Sequence, residues 1–191
     1  MKRAFDVLCV IVASPLWVPL LLAVALAVLC IDGRPMLFSQ MRAGKGGKPF
    51  RLVKFRTMRD GNEADGVRLT RLGRILRKMS LDELPELLLV LTGRLSLVGP
   101  RPLPVRYLPR YSPEQARRHE VRPGITGWAQ VHGRNGVPWA ERFRLDVWYV
   151  DHASFLLDVK ILFLTVFTVL GASGVNAAGA DTMDEFTGGD A

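Results

Sequence analysis

The longest apolar segment of the chain lies near its amino terminus, where 25 consecutive residues (7–31) carry no charge. As one straight helix they would measure about 37 Å, enough to cross a hydrocarbon core of about 30 Å. Ser14, Pro15 and a second proline interrupt the middle of this segment, and proline removes backbone hydrogen bonds and bends a helix. We therefore expect a re-entrant helix, break and helix over residues 1–33, with the Ser14 hydroxyl bonded to a freed backbone group.

Two other interpretations of this segment stay open at the level of sequence. Its length and lack of charge would also suit a single membrane span. Lys2 and Arg3 before an apolar run are also typical of a cleaved secretory signal, although this run is longer and more interrupted by proline than a usual signal. Basic residues flank the segment on both sides, which satisfies the positive-inside rule only if both ends face the cytoplasm and so favours the re-entrant form.

After residue 33 the pattern changes to short strands, turns and helices. Apolar and β-branched runs between turn residues predict strands at Phe50–Met58, Leu95–Val98 and Trp128–Val131. Apolar residues at helical spacing predict helices at 69–79, from Ser80 to near Gly93, at 113–120, after Pro138 and in the stretch 155–170. We predict a single α/β (α+β) domain over residues 34–170 that is built from these elements.

Two of the predicted helices have the character of membrane-surface helices. In residues 69–79 the apolar side chains share one face and Arg and Lys occupy the others, which suits a membrane surface or the outside of a soluble core. In residues 155–170 only the last ten are uncharged, too few to span a bilayer, so this stretch lies on the membrane or in the core. The whole pattern predicts a monotopic membrane protein with amphipathic interfacial helices.

Charge is distributed unevenly along the chain. The net charge is +8, yet residues 171–191 hold four acidic residues and no Lys or Arg, so the rest of the chain is more basic still. Such an excess predicts anionic partners: phosphorylated metabolites, an anionic membrane surface or nucleic acid. The acidic, Gly- and Ala-rich tail has no periodicity and is expected to be loosely ordered. Cys9 and Cys30 stand alone in the apolar segment, which supports neither a disulfide framework nor a zinc site.

The most promising chemistry lies in the adjacent carboxylates Asp82 and Glu83, which follow a basic run and precede an apolar one. Ser80 with Glu83 also has the spacing of a helix capping box, a purely structural alternative, although Pro85 fits that assignment poorly. In either case we expect the helix start to hold Asp82 ionised, and an ionised carboxylate among cations can attack phosphorus.

Cations that could face these carboxylates come from other parts of the chain. Lys54 lies in a predicted strand, and Arg101 stands between Pro100 and Pro102, which restrict the backbone and present the guanidinium from a stiff loop. A planar guanidinium can hold a phosphate through two hydrogen bonds. A solvated strand face and an ordinary turn are the alternatives for these two residues.

Five motifs, in this order, resemble the bacterial sugar transferase family, the monotopic phosphoglycosyl transferases, over about residues 1–170. The chain is similar to the small members of that family, which lack an extra transmembrane domain. The motifs are Ser14-Pro15 in the apolar segment, Lys54-Phe55-Arg56-Thr57-Met58, Ser80-Leu81-Asp82-Glu83-Leu84-Pro85, Gly99-Pro100-Arg101-Pro102 and Arg122-Pro123-Gly124-Ile125-Thr126-Gly127-Trp128-Ala129-Gln130.

The resemblance implies transfer of a sugar 1-phosphate from a nucleoside diphosphate sugar, usually a UDP sugar, to polyprenyl phosphate. It implies Mg²⁺ as cofactor, a covalent phosphosugar enzyme, and a place at the cytoplasmic face of the bacterial inner membrane. Residue by residue, it makes Asp82 the nucleophile and a Mg²⁺ ligand, with Glu83 as its partner. It places Lys54, Arg77 and Arg101 at basic positions that serve the active site, and it gives Ser14 and Pro15 the shaping of the re-entrant helix.

Two functions from other classes compete with this one. A membrane-anchored basic module that binds nucleic acid or anionic lipid without catalysis would explain the charge and the anchor, but not the paired carboxylates beside a rigid Pro-Arg-Pro. A tethered phosphotransferase with a soluble acceptor would work without polyprenyl phosphate. We expect the lipid bilayer and no nucleic acid as partners, and the oligomeric state stays open.

Overall fold

The computed structural model describes residues 1–133, 136–170 and 185–188, and these form a mixed helix and strand fold. The α-helices are α1 (Lys2–Val12), α2 (Ser14–Ile31), α3 (Asp65–Arg68), α4 (Arg71–Lys78), α5 (Glu86–Leu91), α6 (Pro113–Ala116), α7 (Trp128–Val131), α8 (Trp139–His152) and α9 (Phe155–Leu170). The strands are β1 (Leu37–Ala43), β2 (Pro49–Phe55), β3 (Ser96–Val98) and β4 (Gly124–Thr126). Short 3₁₀ helices lie at Lys45–Gly47, Leu81–Glu83, Val105–Arg110 and Arg117–His119.

The amino-terminal segment is broken at Ala13, between α1 and α2. Pro15 has no N–H for the carbonyl of Ile11, and the Ser14 hydroxyl donates to that oxygen at 2.7 Å instead. The indole N–H of Trp17 donates to the carbonyl of Val10 at 2.9 Å. Side chains therefore satisfy the backbone oxygens freed at the break, and the hydrogen bond predicted for Ser14 is confirmed.

Polar contacts attach both ends of this segment to the rest of the protein. Arg3 near the start of α1 donates to the backbone oxygens of Val90 and Leu91 at the end of α5. Just past the end of α2, the carboxylate of Asp32 accepts a hydrogen bond from the Thr70 hydroxyl at 2.9 Å. The two ends of a largely apolar segment are thus fixed to one domain.

The part of the fold after α2 contains two small sheets. Strands β1 and β2 form an antiparallel hairpin, and the inward side chains Phe50 and Leu52 pack against Val10, Val90 and Leu95 in one hydrophobic cluster. Strands β3 and β4 are parallel neighbours, joined along the ladder between Ser96–Val98 and Gly124–Thr126. The hairpin carries Lys54, and the loop after β3 carries Arg101, so the two sheets hold the two cations predicted from sequence.

Most of the predicted elements are present, and two assignments are wrong: the helix predicted from Ser80 begins only at Glu86, and a predicted strand is a helix. The helices predicted at 69–79 and after Pro138 correspond to α4 and α8, and the helix before Gly93 ends where that residue adopts a φ of 79°. Residues Trp128–Val131 form helix α7 and not a strand, and the strand β4 lies just before them. Four residues are too short to show which period they follow.

The acidic tail is described only at residues 185–188, and one of these four residues is buried. The side chain of Phe186 is fully buried, so the prediction of a loosely ordered tail is wrong at this position. The other tail residues, 171–184 and 189–191, lie outside the described residues.

Candidate active site

A single cavity of about 830 Å³ is lined by all five residues predicted to form the site. They are Lys54, Arg77, Asp82, Glu83 and Arg101. Ser14 and Pro15 are not among the lining residues, which agrees with the structural role expected of them. The structure therefore brings together side chains from β2, α4, the 3₁₀ turn and the loop after β3.

The two adjacent carboxylates lie in a 3₁₀ turn and not at the start of a long α-helix. Ser80 before the turn has a φ of 56°, in the left-handed region, and its side chain makes no capping hydrogen bond. Helix α5 begins only at Glu86, after Pro85. The capping-box interpretation is therefore wrong, because Glu83 turns away from Ser80 toward cations from other elements.

Glu83 forms ion pairs with two of the three predicted cations that line the cavity, Lys54 and Arg101. Its Oε1 accepts hydrogen bonds from Lys54 Nζ and from an Nη of Arg101, each at 2.5 Å. Although burial alone would raise it, Arg101 and Lys54 keep the pKa of Glu83 well below its usual range. Glu83 is therefore ionised and serves as the common acceptor that fixes both cations at the cavity.

Asp82 differs from its neighbour in its contacts within the described part of the chain. Among residues 1–133, 136–170 and 185–188, no side chain bonds to or forms an ion pair with the carboxylate of Asp82, a residue that is 8% exposed and lines the cavity. Burial and the charge of Glu83 raise the pKa of Asp82, and Lys54, Arg101 and Arg77 only partly offset this. The expectation that a helix start keeps it ionised is wrong; nearby cations are what favour its charged form.

The position of Arg101 depends on close contacts between glycines. A Cβ at Gly99 would lie 2.3 Å from the Arg122 oxygen, and a Cβ at Gly124 would lie 2.1 Å from the Gly99 nitrogen. The Gly99 N–H donates to the Thr126 oxygen at 2.8 Å across this contact. The glycines of the two motifs thus let the Pro-Arg-Pro loop lie directly against β4, which fixes its course.

Buried charges support the same loop from behind. Arg118 donates to the backbone oxygen of Arg101 at 2.8 Å and to the carboxylate of Asp146 at 2.7 Å. Both charged side chains are almost completely buried, at 1% and 2% exposure. This ion pair holds the backbone that presents Arg101, and no local pattern in the sequence predicts it.

Arg77 is oriented by a contact between helix α4 and the segment that follows strand β2. Its Nε donates to the Thr57 hydroxyl at 3.0 Å. Helix α4 approaches Thr57 so closely that a Cβ at Gly73 would lie 2.1 Å from the Thr57 oxygen. The tight packing places the last turn of α4, which carries Arg77, at the wall of the cavity.

Two charged residues beside the site were missed by sequence reasoning: Glu86, which is buried, and Arg42, which is half-buried. Glu86 Oε1 lies 3.2 Å from Lys54 Nζ, and burial raises its pKa to about 7, although Lys54 draws it down and Glu83 adds to the increase. Burial and the nearby Arg101 lower the pKa of Arg42 to about 10. Both line a second, water-sized cavity of about 20 Å³ next to Lys54. A carboxylate one helical turn after Asp82 and inside an apolar run is the signal that could have identified Glu86.

The donor set can be compared with what a metal ion requires. No group of three or more His, Cys, Asp or Glu side chains within the described parts of the chain is arranged as a metal cage. Mg²⁺ does not need one, because it is usually held by one or two carboxylates together with substrate phosphates and water. The Asp82 carboxylate, which no side chain in the described ranges pairs with, fits that requirement, whereas Glu83 already pairs with Lys54 and Arg101.

Comparison with known proteins defines the class. Residues 1–172 match the family described as bacterial sugar transferase. The chain belongs to this family, as the motifs predicted.

Individual relatives agree with that assignment. The chain is 53% identical over 194 residues to the uncharacterized sugar transferase EpsL of Bacillus subtilis (strain 168), covering 98% of this chain and 96% of the relative. It is 43% identical to the UDP-glucose:undecaprenyl-phosphate glucose-1-phosphate transferase of Caulobacter vibrioides, covering 88% and 69%. It is 40% identical to the UDP-N-acetylgalactosamine-undecaprenyl-phosphate N-acetylgalactosaminephosphotransferase of Aeromonas hydrophila, covering 91% of this chain but only 44% of that protein.

Proposed function

We propose that this protein transfers a sugar 1-phosphate from a UDP sugar to polyprenyl phosphate, as the first membrane step in the assembly of a glycan. An Asp82 oxygen attacks the phosphorus that bears the sugar, and the bond from that phosphorus to UMP breaks, so UMP leaves with the electron pair. A phosphate oxygen of polyprenyl phosphate then attacks the same phosphorus. The bond to Asp82 breaks, the carboxylate is restored, and polyprenyl diphosphate sugar is released.

The observation that carries this proposal is the division of labour between two adjacent carboxylates. Glu83 Oε1 is bonded to Lys54 and Arg101, whereas the carboxylate of Asp82, which lines the cavity, has no such partner among the described residues. A nucleophile must be free to reach the reacting atom, and the two ion pairs hold Glu83 in place while no described contact holds the Asp82 carboxylate. A binding module without catalysis would have no use for a buried carboxylate that repels anions.

The cations offset the repulsion between that carboxylate and a diphosphate. Lys54, Arg77 and Arg101 line the cavity with Asp82, and fixed positive charge stabilises phosphate oxygens as their charge changes during transfer. Asp82 would hold Mg²⁺ together with the donor phosphates, and the bound ion would supply further neutralisation of the diphosphate.

The amino-terminal segment is proposed to enter and leave the membrane on one side. Arg3 and Asp32 at its two ends are both bonded to the same domain. Among the exposed large apolar side chains of residues 7–31, the two with the highest exposed fractions flank the break: Val12 at 70% and Leu16 at 80%. Helix α2 is long and apolar enough to cross a membrane by length and composition, and only 11% of it is buried. An exposed apolar bend between anchored ends supports a re-entrant hairpin.

Helix α9 extends the apolar surface and supports a monotopic placement. Its only two charged residues are Asp158 and Lys160, and Asp158 is buried, whereas large apolar side chains of the helix point outward. The exposed ones are Phe155, Leu156, Val159, Phe163, Val166 and Phe167. Such an apolar face suits a helix lying in the interface, with the cavity open to the cytoplasm where nucleotide sugars occur.

The reaction is tested with the detergent-solubilised full chain, Mg²⁺, polyprenyl phosphate and a panel of UDP sugars that includes UDP-glucose and UDP-N-acetylgalactosamine. We expect UMP release that depends on polyprenyl phosphate, and a phosphosugar adduct on Asp82 when the lipid is omitted, detected by mass spectrometry of peptides. Asp82→Asn should abolish both signals. Normal turnover by Asp82→Asn would eliminate the covalent route, and UMP release to water or a soluble acceptor would favour a soluble-substrate phosphotransferase.

Membrane topology is tested by labelling single cysteines in intact cells. In a background with Cys9→Ser and Cys30→Ser, Ala4→Cys and Arg34→Cys, both at exposed positions, should each react only with reagents that reach the cytoplasm. Labelling of one position from each side would show a single span in place of the re-entrant hairpin.

A further inference from the structure

The carboxy-terminal tail contributes one completely buried aromatic side chain, that of Phe186. Its ring lies 4.9 Å from the ring of Phe143, 5.6 Å from Trp139 and 5.7 Å from Tyr107 and from Tyr111, measured between ring centres. Four aromatic partners at these separations form a cluster in which Phe186 is central.

Polar contacts fix the backbone around this ring. The Phe186 N–H donates to the Tyr107 hydroxyl at 3.3 Å, and Arg110 donates to the Phe186 oxygen. The neighbouring Glu185 forms ion pairs with Arg110 at 2.9 Å and with Arg106 at 3.1 Å. Residues 185 and 186 are therefore held by backbone hydrogen bonds and by the ion pairs of the Glu185 carboxylate.

Three of the residues that the tail contacts also line the 830 Å³ cavity that contains Asp82. They are Arg106, Tyr107 and Trp139, and we refer to them as the tail-backed wall. Tyr107 and Trp139 meet edge to face at 5.8 Å, and Phe186 packs against both of them from behind. Loss of the Phe186 ring would therefore remove one packing partner from each aromatic side chain of the wall.

The surroundings of this wall indicate which substrate it meets. Between residues 89 and 154, apart from the undescribed 134–135, no large apolar side chain is exposed, whereas Arg106 and Glu185 are about half exposed. The wall therefore belongs to the part of the protein that faces water. Aromatic rings beside a guanidinium suit a nucleoside diphosphate, whose base can stack and whose phosphates can pair.

We propose that Phe186 is a positioning residue for the donor: by packing behind Tyr107 and Trp139, it fixes the tail-backed wall against which the nucleoside diphosphate sugar binds. This inference rests on the proposed function for the identity of the donor. The family match ends at residue 172, so the tail adds to the site from outside the matched region.

The test separates donor binding from general stability. Initial rates of the full chain are measured with UDP sugar varied at saturating polyprenyl phosphate, and then with the lipid varied. We expect Phe186→Ala to raise KM for the donor about tenfold, with kcat and KM for the lipid within about twofold, because ground-state positioning alone is lost. Phe186→Leu should restore most of the donor affinity.

Two further variants serve as controls. Leu95→Ala truncates an equally buried side chain in a different cluster, so it should lower thermal stability while leaving KM for the donor unchanged. Glu185→Gln should release Arg106 without opening the core and raise KM for the donor by a smaller factor, which keeps the test informative if Phe186→Ala fails to fold. Equal effects of Phe186→Ala and Leu95→Ala on all three kinetic constants would overturn the inference.

A binding measurement distinguishes failure of this inference from failure of the proposed function. In an Asp82→Asn background, which blocks transfer, the Kd of the UDP sugar is measured by calorimetry with and without Phe186→Ala. A Kd about tenfold weaker supports the role of Phe186 even if the unmodified protein releases no UMP, and an unchanged Kd rejects that role even if turnover is normal.

Discussion

Two clusters of buried charge lie close together in this protein, and they are built differently. In the supporting pair, Arg118 and Asp146 are 1% and 2% exposed and satisfy each other. In the cavity cluster, two of three carboxylates form ion pairs with two cations, and the third, Asp82, has no ion-pair partner among the described residues. The members of the cavity cluster are Lys54, Asp82, Glu83, Glu86 and Arg101.

The difference between the two clusters distinguishes buried charges that stabilise the fold from buried charges that could take part in a reaction. The ion pair of Arg118 with Asp146 is almost completely removed from water, so its loss is felt by the fold. The cavity cluster holds a carboxylate, Asp82, that no described side chain pairs with, so it can accept a cation or a substrate. Burial alone is therefore a poor guide to function, and the number of partners left open is a better one.

The largest effect on stability is expected from Asp146→Asn. This change keeps the shape of the side chain but leaves the buried Arg118 without its counter-charge, which costs about 3 to 5 kcal/mol of unfolding free energy. The measurement is chemical denaturation in detergent micelles, followed by tryptophan fluorescence. Asp82→Asn is the matched control: it makes the same chemical change at a buried carboxylate that pairs with no described side chain, so stability should change by less than about 1 kcal/mol. Equal losses in the two variants would remove the distinction between the clusters.

An intermediate effect is expected from Glu83→Gln. The change weakens two charge-assisted hydrogen bonds, from Lys54 and Arg101, and should lower the unfolding free energy by about 2 to 3 kcal/mol. In the double variant with Lys54→Met the losses should add to less than their sum, because the two residues share one contact. Strict additivity would show that Glu83 does not hold Lys54.

Sequence predicted the members of the cavity cluster better than their arrangement. The motifs identified Asp82, Glu83, Lys54 and Arg101, and all of them line one cavity. That Glu83 is the shared acceptor depends on contacts across 29 and 18 residues of chain, which spacing cannot reveal. Local patterns also misassigned the turn, because the capping-box spacing of Ser80 is compatible with a side chain that points elsewhere.

Two parts of the fold were beyond sequence reasoning for the same physical reason. Phe186 is a single aromatic residue in a stretch without periodicity, and its burial depends on partners from about residue 107 to 143. Arg118 and Asp146 lie 28 residues apart on different helical elements, and nothing local marks either residue as buried. By contrast, the helices α4 and α8 were predicted, because amphipathic periodicity is a local property.

A smaller, pH-dependent effect is expected from Glu86. Its pKa is about 7 in the folded protein and about 4.5 ordinarily, so between these values the folded state keeps a proton that the unfolded state has lost. Glu86 therefore contributes stability below pH 4.5 that is lost as the pH rises through 7. Glu86→Gln should gain on the order of 2 kcal/mol relative to the unchanged protein between pH 5 and pH 8.

Comparison of the Glu86→Gln variant with the unchanged protein separates the titration of Glu86 from that of other groups in the same pH range. Burial and Arg118 lower the pKa of His119 to about 4, and that shift makes stability rise with pH, opposite to Glu86. Because His119 is present in both proteins, its contribution cancels in the difference. The unfolding free energies are measured at both pH values, and a difference that does not vary with pH would show that Glu86 is ionised throughout.

The smallest effect is expected at Arg117, the neighbour in sequence of the buried Arg118. Arg117 forms ion pairs with Glu114 at 3.0 Å, with Glu120 at 3.3 Å and with Asp151, three carboxylates against the one that Arg118 contacts among the described residues. All three carboxylates are at least 43% exposed, so water and salt already screen them, and holding long side chains together costs entropy. We therefore expect Arg117→Gln to leave the unfolding midpoint unchanged within error, at low and at high salt. A loss comparable to that of Asp146→Asn would mean that the number of ionic contacts, and not their removal from water, decides what a charge contributes to this fold.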